Sequence, residues 1–276
     1  MANYSPISIF DSGYGGLTVL KEIYRLLPEY DYMYVGDNAR APYGTRSYEV
    51  VYRYTLDAVR YLFKEGSPLT ILACNTASAK ALRSIQQTDL PNIAPDNRVL
   101  GVIRPAVEKA GELSTTGHVG VLGTTGTINS NSYPIELTKW SGGKITHVSQ
   151  QDCPMWVPII ENGEELNPAS LPFIKSKVEE LLAKDVDIDL IILACTHYPL
   201  IKEQIKKFLP SRVSLMNQAA LVAERLQDYL QRHPQMEKRI SRGGSMRFLT
   251  TEDNKEFAKK GSRFWASPIT AATIHL

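Results

Sequence analysis

One short segment occurs twice in this chain, about half a chain apart. Residues 69–76 read LTILACNT and residues 189–197 read DLIILACTH, so each copy is an apolar run that ends in Ala-Cys before polar residues. Short apolar runs bounded by turn-forming residues are typical of strands that are buried on both faces of a parallel sheet. The repeat therefore predicts two similar halves, each with a buried strand that ends at a cysteine.

Similar apolar runs alternate with longer amphipathic segments through most of the sequence. This alternation is typical of βα units and predicts an α/β fold with largely parallel sheets. Ser47 and Gly66 are suited to cap the two ends of a helix over 48–64. The other predicted helices span 17–27, 171–184 and 221–231, and the predicted strands span 7–10, 32–35, 69–73, 99–103, 119–122, 145–148, 190–194, 213–216 and 246–250.

The length of 276 residues is sufficient for two domains. The Pro/Asn-rich loop 91–97 indicates a boundary. We predict two pseudo-symmetric α/β domains, over 1–97 and 98–211, and a C-terminal segment 212–276 that returns to the first domain. Because ligands of open α/β sheets lie beyond the carboxyl ends of the strands, we expect the active site in the cleft between the two domains.

The overall charge argues against a polyanionic partner. There are 31 Lys and Arg residues against 29 Asp and Glu residues, a formal net charge of +2. This balance creates no field that would attract nucleic acid or anionic lipid, and we expect a small-molecule ligand and neither a nucleic-acid nor a membrane partner.

The expected location is the cytoplasm. The first residues lack the basic and apolar regions of a secretory signal, and the run 190–194 is far shorter than the ~20 residues of a membrane span. The three cysteines are an odd number and are widely spaced, which favours free thiols in a reducing compartment.

Cys74 and Cys195 are the strongest candidates for chemistry. Each follows an apolar run and precedes residues that favour turns and helix N-termini, where the helix dipole can lower a thiol pKa from about 8.5 toward neutrality. A single cysteine after a strand is usually a small buried hydrophobic residue, but two in matching contexts favour a pair of proton acceptors. Cys153 has no such context, and we expect it to be structural.

Other polar residues are expected near these thiols. His197 lies two residues beyond Cys195 and can act as a general acid or orient a neighbour. Asp11 and Ser12 follow the first predicted strand, where turn and capping roles are equally possible. The segment 123–127 offers hydroxyl and N–H groups for a small carboxylate, and the loop 37–45 either lines the cleft or merely connects two elements.

Four segments, 9–17, 37–44, 73–78 and 194–199, resemble the signature segments of glutamate racemases, in the aspartate/glutamate racemase family. Further similarity is found at 101–103, 123–127, 153–161 and 248–268, so that the resemblance covers nearly the whole chain. It implies a homodimeric enzyme that interconverts L- and D-glutamate without cofactor or metal and supplies D-glutamate for peptidoglycan.

The resemblance also implies roles for individual residues. Cys74 would act on the Cα proton of D-glutamate and Cys195 on that of L-glutamate. Asp11 would assist Cys74, and His197 with Glu161 would assist Cys195. The positions that match substrate-binding residues of the family are Asp11, Ser12, Pro42, Tyr43, Gly44, Asn75, Thr76, Thr124, Thr127, Thr196 and His197.

Three differences from the family pattern leave the catalytic candidates in place: Arg104, the pair Asn217 and Gln218, and Glu252. Three alternative functions remain open on sequence grounds. The chain could be an aspartate racemase, although the Cys-Thr-His run favours glutamate by resemblance. It could also be a cysteine hydrolase that uses one thiol with His197, or a noncatalytic amino-acid-binding protein.

Overall fold

The structure is a computed structural model, and it describes residues 4–276. Over this range the chain forms two parallel sheets, one of six strands and one of four, with helices packed around them. The predicted α/β class with two largely parallel sheets is confirmed.

The strand order is β10-β9-β2-β1-β3-β4 in the first sheet and β6-β5-β7-β8 in the second. Every neighbouring pair is parallel. The strands are β1 Ile7–Asp11, β2 Tyr32–Gly36, β3 Leu69–Leu72, β4 Arg98–Gly101, β5 His118–Gly123, β6 His147–Asp152, β7 Leu190–Ala194, β8 Ser214–Met216, β9 Met246–Thr250 and β10 Ala271–Thr273.

The helices cover the faces and edges of both sheets. They are α1 Leu17–Leu26, α2 Tyr48–Lys64, α3 Asn75–Lys80, α4 Leu82–Ser84, α5 Leu90–Ile93, α6 Ile103–Leu113, α7 Thr125–Asn129, α8 Ser132–Trp140, α9 Trp156–Glu161, α10 Leu171–Lys184, α11 Lys202–Lys206, α12 Gln218–Arg232, α13 Pro234–Glu237 and α14 Asn254–Trp265. Short 3₁₀ turns occupy Asn38–Arg40, Tyr43–Thr45, Pro168–Ser170 and Tyr198–Ile201, and a π-helical turn occupies Ile85–Asp89.

The central strands place the candidate residues at the carboxyl edges of the sheets. All residues of β1, β3 and β7 are buried, as their continuous apolar sequences predict. Phe10 is paired with Leu72, so Asp11, the last residue of β1, and Cys74, two residues beyond β3, lie at the same edge of the first sheet. In the second sheet β5 and β7 are paired up to their last residues, which brings Thr124 and Cys195 to one edge.

Two edge strands differ from the sequence prediction. The strand predicted at 145–148 lies at His147–Asp152, because this edge strand is polar and only partly buried, and apolar content does not reveal it. The last strand, Ala271–Thr273, was not predicted. It has three residues at a sheet edge and carries no apolar run.

The chain passes between the sheets slightly later than the expected boundaries at 97 and 211. Arg98–Gly101 still belongs to the six-stranded sheet, and Ser214–Met216 still belongs to the four-stranded sheet. The chain therefore crosses after Gly101 and again after Met216. From there α12 packs on α1, and apolar residues of both helices share one continuous core.

Within residues 4–276, no helix is both long enough and apolar enough to cross a membrane.

Asp189 anchors the start of β7 to the turn that precedes β5. Its carboxylate accepts hydrogen bonds from the Ser114 hydroxyl at 2.6 Å, the Thr115 N–H at 2.6 Å, the Thr115 hydroxyl at 2.7 Å and the Thr116 N–H at 3.0 Å. Partial burial alone would raise the pKa of Asp189, but these hydrogen bonds outweigh it and hold the pKa well below its usual range.

Replacing this carboxylate should destabilise the fold. We expect Asp189→Ala to lower the free energy of unfolding by about 2–4 kcal/mol at pH 7, because four donors lose a charged acceptor. A depressed folded-state pKa stabilises the fold above the ordinary Asp value of about 3.9, and the contribution is lost as the pH falls below it. Urea unfolding measured from pH 2 to 7 should therefore show the difference between the two proteins narrowing as the pH falls below about 3.9. Glu224→Gln, an exposed charge removal, is the matched control, and equal stability of Asp189→Ala and this control at pH 7 would contradict the prediction.

Candidate active site

Cys74 lies at the carboxyl edge of the first sheet, directly before α3. Its side chain is buried, and its Sγ accepts the N–H of Ala77 at 3.5 Å, so the sulfur caps the helix. The thiol also contacts the Ser12 hydroxyl at 3.5 Å. The predicted position at a strand tip and helix N-terminus is thus found, with Ser12 beside the thiol.

Cys195 occupies the equivalent place after β7, also buried. Its surroundings differ from those of Cys74, because a 3₁₀ turn begins at Tyr198 and no α-helix begins at the cysteine. The polar partner of Cys195 is His197, whose Nδ1 lies 3.8 Å from Sγ. The thiol lies at a strand tip as predicted, and the nearby helical segment is a 3₁₀ turn that begins three residues later.

His197 is buried between Cys195 and a carboxylate of the second domain. Its Nε2 lies 2.9 Å from Oε1 of Glu161, at the end of α9. Burial alone would lower the pKa of His197, but hydrogen bonds to Cys195 and Glu161 outweigh it and raise the pKa to about 10. The imidazole is consequently protonated at neutral pH and donates toward both partners.

Asp11 connects the two halves of the site. It is 1% exposed, its Oδ2 accepts the N–H of Gly13 at 2.9 Å, and its Oδ1 accepts the Thr196 hydroxyl at 3.4 Å. Burial raises the pKa of Asp11, while the charge of His197 and nearby backbone N–H groups oppose the increase. A carboxyl group of the first domain thus contacts the segment that carries the second thiol.

The expected lowering of the thiol pKa is wrong for Cys74. Burial raises its pKa to about 12, the nearby charges of Asp11 and Cys195 add to the increase, and the contacts with Ser12 and Ala77 only partly offset it. Loss of water around the sulfur outweighs the short helix, because desolvation disfavours the thiolate. Cys74 is therefore a thiol at neutral pH in this state of the site.

Three threonine hydroxyls meet where the two domains face each other. The Oγ1 atom of Thr76 lies 2.9 Å from that of Thr124 and 3.3 Å from that of Thr127. The Thr124 hydroxyl also caps α7 by accepting the Thr127 N–H at 3.3 Å. The hydroxyl groups expected from residues 123–127 are thus joined by one from the first domain.

The loop after β2 also reaches this region. The Tyr43 hydroxyl donates to Asp37 at 2.5 Å, and Asp37 is fully buried with Arg40 as its ion-pair partner at 2.6 Å. Pro42 precedes the 3₁₀ turn that contains Tyr43. Gly44 is tightly packed, because a Cβ there would lie 2.9 Å from Cβ of Thr124. This loop therefore lines the cleft and is more than a connection.

A closed ring of three buried hydrogen bonds was not predicted from the sequence. Asn75 donates to Oε1 of Gln218 at 3.0 Å, Gln218 donates to the Tyr133 hydroxyl, and Tyr133 donates to Oδ1 of Asn75 at 2.7 Å. The ring fixes which end of the Asn75 amide donates. Gln218 stood out only as a departure from the family pattern, and no local signal connected it with Asn75.

The C-terminal helix α14 contacts the second half of the site. The Phe264 ring lies edge-on to the His197 ring, with centroids 5.2 Å apart. Arg263 donates to the carbonyl oxygen of Ile160 at 3.2 Å and pairs with Glu165. Both residues of α14 thereby hold the elements that position His197 and Glu161, and these contacts were not predicted from the sequence.

The other residues that differ from the family pattern lie away from Cys74 and Cys195. Arg104 lies 3.7 Å over the Trp140 ring and pairs with Glu108 at 2.8 Å. Asn217 caps α12 by accepting the N–H of Ala219. Among the described residues, Glu252 forms hydrogen bonds only through its backbone N–H and carbonyl oxygen.

Cys153 is 1% exposed and lies in the hydrophobic core of the structure, where burial raises its pKa well above the ordinary value. Its backbone carbonyl accepts the Tyr198 hydroxyl at 3.3 Å.

The cleft between the two parallel-sheet domains contains two buried thiols. A hydroxyl group lies beside one thiol and an imidazolium beside the other, and this arrangement defines a site for proton transfer at carbon. A family model described as Asp/Glu/Hydantoin racemase matches residues 16–225, and the chain belongs to this family. A glutamate racemase of Dinoroseobacter shibae is 41% identical over 268 residues, which cover 94% of each of the two chains.

Solved structures agree over the full length. A glutamate racemase isoform from Bacillus anthracis superposes with a TM-score of 0.88 at 34% identity and covers 99% of this chain and 98% of its own. The glutamate racemase of Francisella tularensis, solved in complex with D-glutamate, gives a TM-score of 0.86 at 31% identity, with 98% and 97% coverage. The family resemblance and the two-domain fold predicted from the sequence are confirmed.

Proposed function

We propose that this chain is a glutamate racemase that exchanges the Cα proton of its substrate between Cys74 and Cys195 without a cofactor. The observation that carries the proposal is the placement of two thiols in matching positions on facing domains, each with its own polar partner. A racemase must accept both enantiomers, and so it needs one acid/base group on each face of the same carbon.

The protonation states suit this chemistry. For the L isomer, the Cys195 thiolate removes the Cα proton and the Cys74 thiol donates a proton to the opposite face, which gives D-glutamate. The protonated His197, 3.8 Å from Cys195, stabilises negative charge on that sulfur. Burial keeps the Cys74 proton on its sulfur until the carbanion forms. The reverse reaction uses the same groups in opposite roles, with Asp11 assisting Cys74.

The substrate is held by hydroxyl, amide and backbone N–H groups of both domains. The threonine cluster offers hydroxyl donors to carboxylate oxygens, and Asn75 has one amide N–H besides the one that it donates to Gln218. Fixed donors of this kind stabilise the charge that develops at Cα. Burial of both thiols limits the access of water, which would otherwise return protons to either face. The remaining proposed substrate contacts are Asp11, Ser12, Pro42, Tyr43, Gly44, Thr196 and His197.

The decisive experiment is incubation of the purified protein with L-glutamate in D₂O. We expect D-glutamate that carries deuterium at Cα, because the proton of the product comes from a thiol that has exchanged with solvent. NMR and chiral chromatography measure the label and the enantiomer. No exchange and no D-glutamate from folded protein would reject the proposal, whereas faster conversion of L-aspartate would assign the aspartate racemase instead.

The other two candidate functions, a cysteine hydrolase and a noncatalytic binding protein, predict different results with the same purified protein. A cysteine hydrolase would cleave an ester or amide and keep that activity in Cys74→Ala. A noncatalytic binding protein would bind glutamate in a calorimetric titration without turnover.

We further propose that the enzyme is a cytoplasmic homodimer that supplies D-glutamate for peptidoglycan, and light scattering that shows only monomer would reject the dimer.

A further inference from the structure

A second group of polar side chains lies at the opposite end of the four-stranded sheet from Cys195. His118 is the first residue of β5, and Asp185 and Asp187 lie in the connection from α10 to β7. One potential ligand atom of each of these three residues lies within 4.8 Å of the others. Among residues 4–276 it is the only group of three or more His, Cys, Asp or Glu side chains arranged this closely.

Contacts within the group fix the orientation of two of its members. Nδ1 of His118 lies 2.8 Å from Oδ2 of Asp185, and Oδ1 of Asp185 accepts the N–H of Asp187 at 3.0 Å. The strand register places His118 beside His147, and their rings stack with centroids 4.2 Å apart. The His118 imidazole is thus held by the Asp185 carboxylate at its edge and by the His147 ring on its face.

The charge of the group also favours a cation. Two carboxylates stand beside the stacked imidazoles of His118 and His147, and the Asp187 side chain forms no ion pair with any described residue. The two basic residues beside this loop donate to carbonyl oxygens, Arg212 to that of Val186 at 2.7 Å and Lys184 to that of Gln150 at 2.6 Å. A divalent cation would compensate the remaining negative charge.

We propose that His118, Asp185 and Asp187 bind a divalent first-row transition-metal ion such as Zn²⁺. Imidazole nitrogen with carboxylate oxygen is a ligand set that suits such ions. Tetrahedral coordination at about 2.0–2.2 Å separates ligand atoms by roughly 3.3 Å. The His118–Asp185 contact would widen by about 0.5 Å, and the exposed Asp187 would close the remaining gap by a change of rotamer, with water as a fourth ligand.

The metal ion would replace the hydrogen bond between His118 and Asp185. Protons compete with the ion for its ligands, so binding weakens in acid. The ion would join the start of β5 to the connection that precedes β7, far along these strands from Cys195. Its effect is stabilisation of the second domain, separate from the proposed racemisation.

The test is calorimetric titration of the full chain with ZnCl₂. Because thiols also bind Zn²⁺, the titration is done on the wild type and on a Cys74→Ala/Cys195→Ala double variant. We expect one equivalent to bind in the double variant, with affinity at least tenfold lower in His118→Gln and in Asp187→Asn made in that background. His275→Gln, an exposed histidine at the C-terminus, is the matched control and should bind as the parent does.

Spectroscopy separates this site from the thiols. With Co²⁺ in place of Zn²⁺, we expect visible d–d absorption without a sulfur-to-metal charge-transfer band. Asp187→Asn changes an exposed side chain, so it remains informative if His118→Gln fails to fold. Absence of Zn²⁺ binding in the double variant, or unchanged affinity in Asp187→Asn, would overturn the proposal without affecting the racemase assignment.

Discussion

Cys74→Ala and Cys195→Ala are each expected to lower kcat/KM for racemisation by about 10³–10⁴-fold. Each variant leaves the Cα carbon with an acid/base group on one face only, and a positioned proton-transfer group contributes up to about 10⁴-fold. Because L- and D-glutamate have equal free energies, the equilibrium constant is one, and kcat/KM must fall by the same factor in both directions. Chiral assays started from each enantiomer measure both values.

The remaining thiol of each variant should reveal which face it serves. We expect residual deuterium incorporation in D₂O only into L-glutamate for Cys74→Ala and only into D-glutamate for Cys195→Ala. Cys153→Ala is the matched control, because it removes a core thiol outside the cleft, and its kcat/KM should stay within about threefold of the wild type. Near-normal racemisation by either catalytic variant would exclude the two-thiol mechanism.

His197→Asn is expected to lower kcat/KM by about 10²-fold. This change removes the positive charge 3.8 Å from Cys195, so that thiolate formation loses its main stabilising partner. His233→Gln is the matched control, because His233 stacks on Tyr229 outside the thiol cluster. Equal activity of His197→Asn and this control would show that the imidazolium has no part in the reaction.

The pH dependence of activity in a Glu161 variant tests the role of the same His197 imidazolium. The pKa of His197 is raised from 6.5 to about 10, so its charged contacts are complete below 6.5 and are lost as the pH rises through about 10. Glu161→Gln removes one of the interactions that raise this pKa, and we expect about tenfold lower activity with an alkaline limb moved to lower pH. Profiles of kcat/KM from pH 6 to 11 measure the shift, and an unmoved alkaline limb would assign that limb to another group.

The sequence was most informative where a single strand determines the position of a single residue. Both cysteines follow continuous apolar runs that can only be buried strands, so their places at the sheet edges could be predicted before any packing was known. Edge strands were less predictable, because the polar β6 and the three-residue β10 depend on pairing and not on their own composition.

The contacts that hold the site together could not be predicted, because they join residues that are far apart in the sequence. The Asn75, Tyr133 and Gln218 ring joins three helices separated by long stretches of sequence, and only the packed structure brings them together. The pKa of Cys74 was misjudged because its sign depends on how much water reaches the sulfur, and sequence carries no measure of that.

The contact of α14 with His197 has a consequence for protein synthesis. A polypeptide emerging from the ribosome contains both thiols once residue 195 has been added. It still lacks β9 and β10, which extend the first sheet from β2, and the helix whose Phe264 packs on His197. The imidazole that partners Cys195 is therefore packed only after residues far beyond it in the sequence have been added.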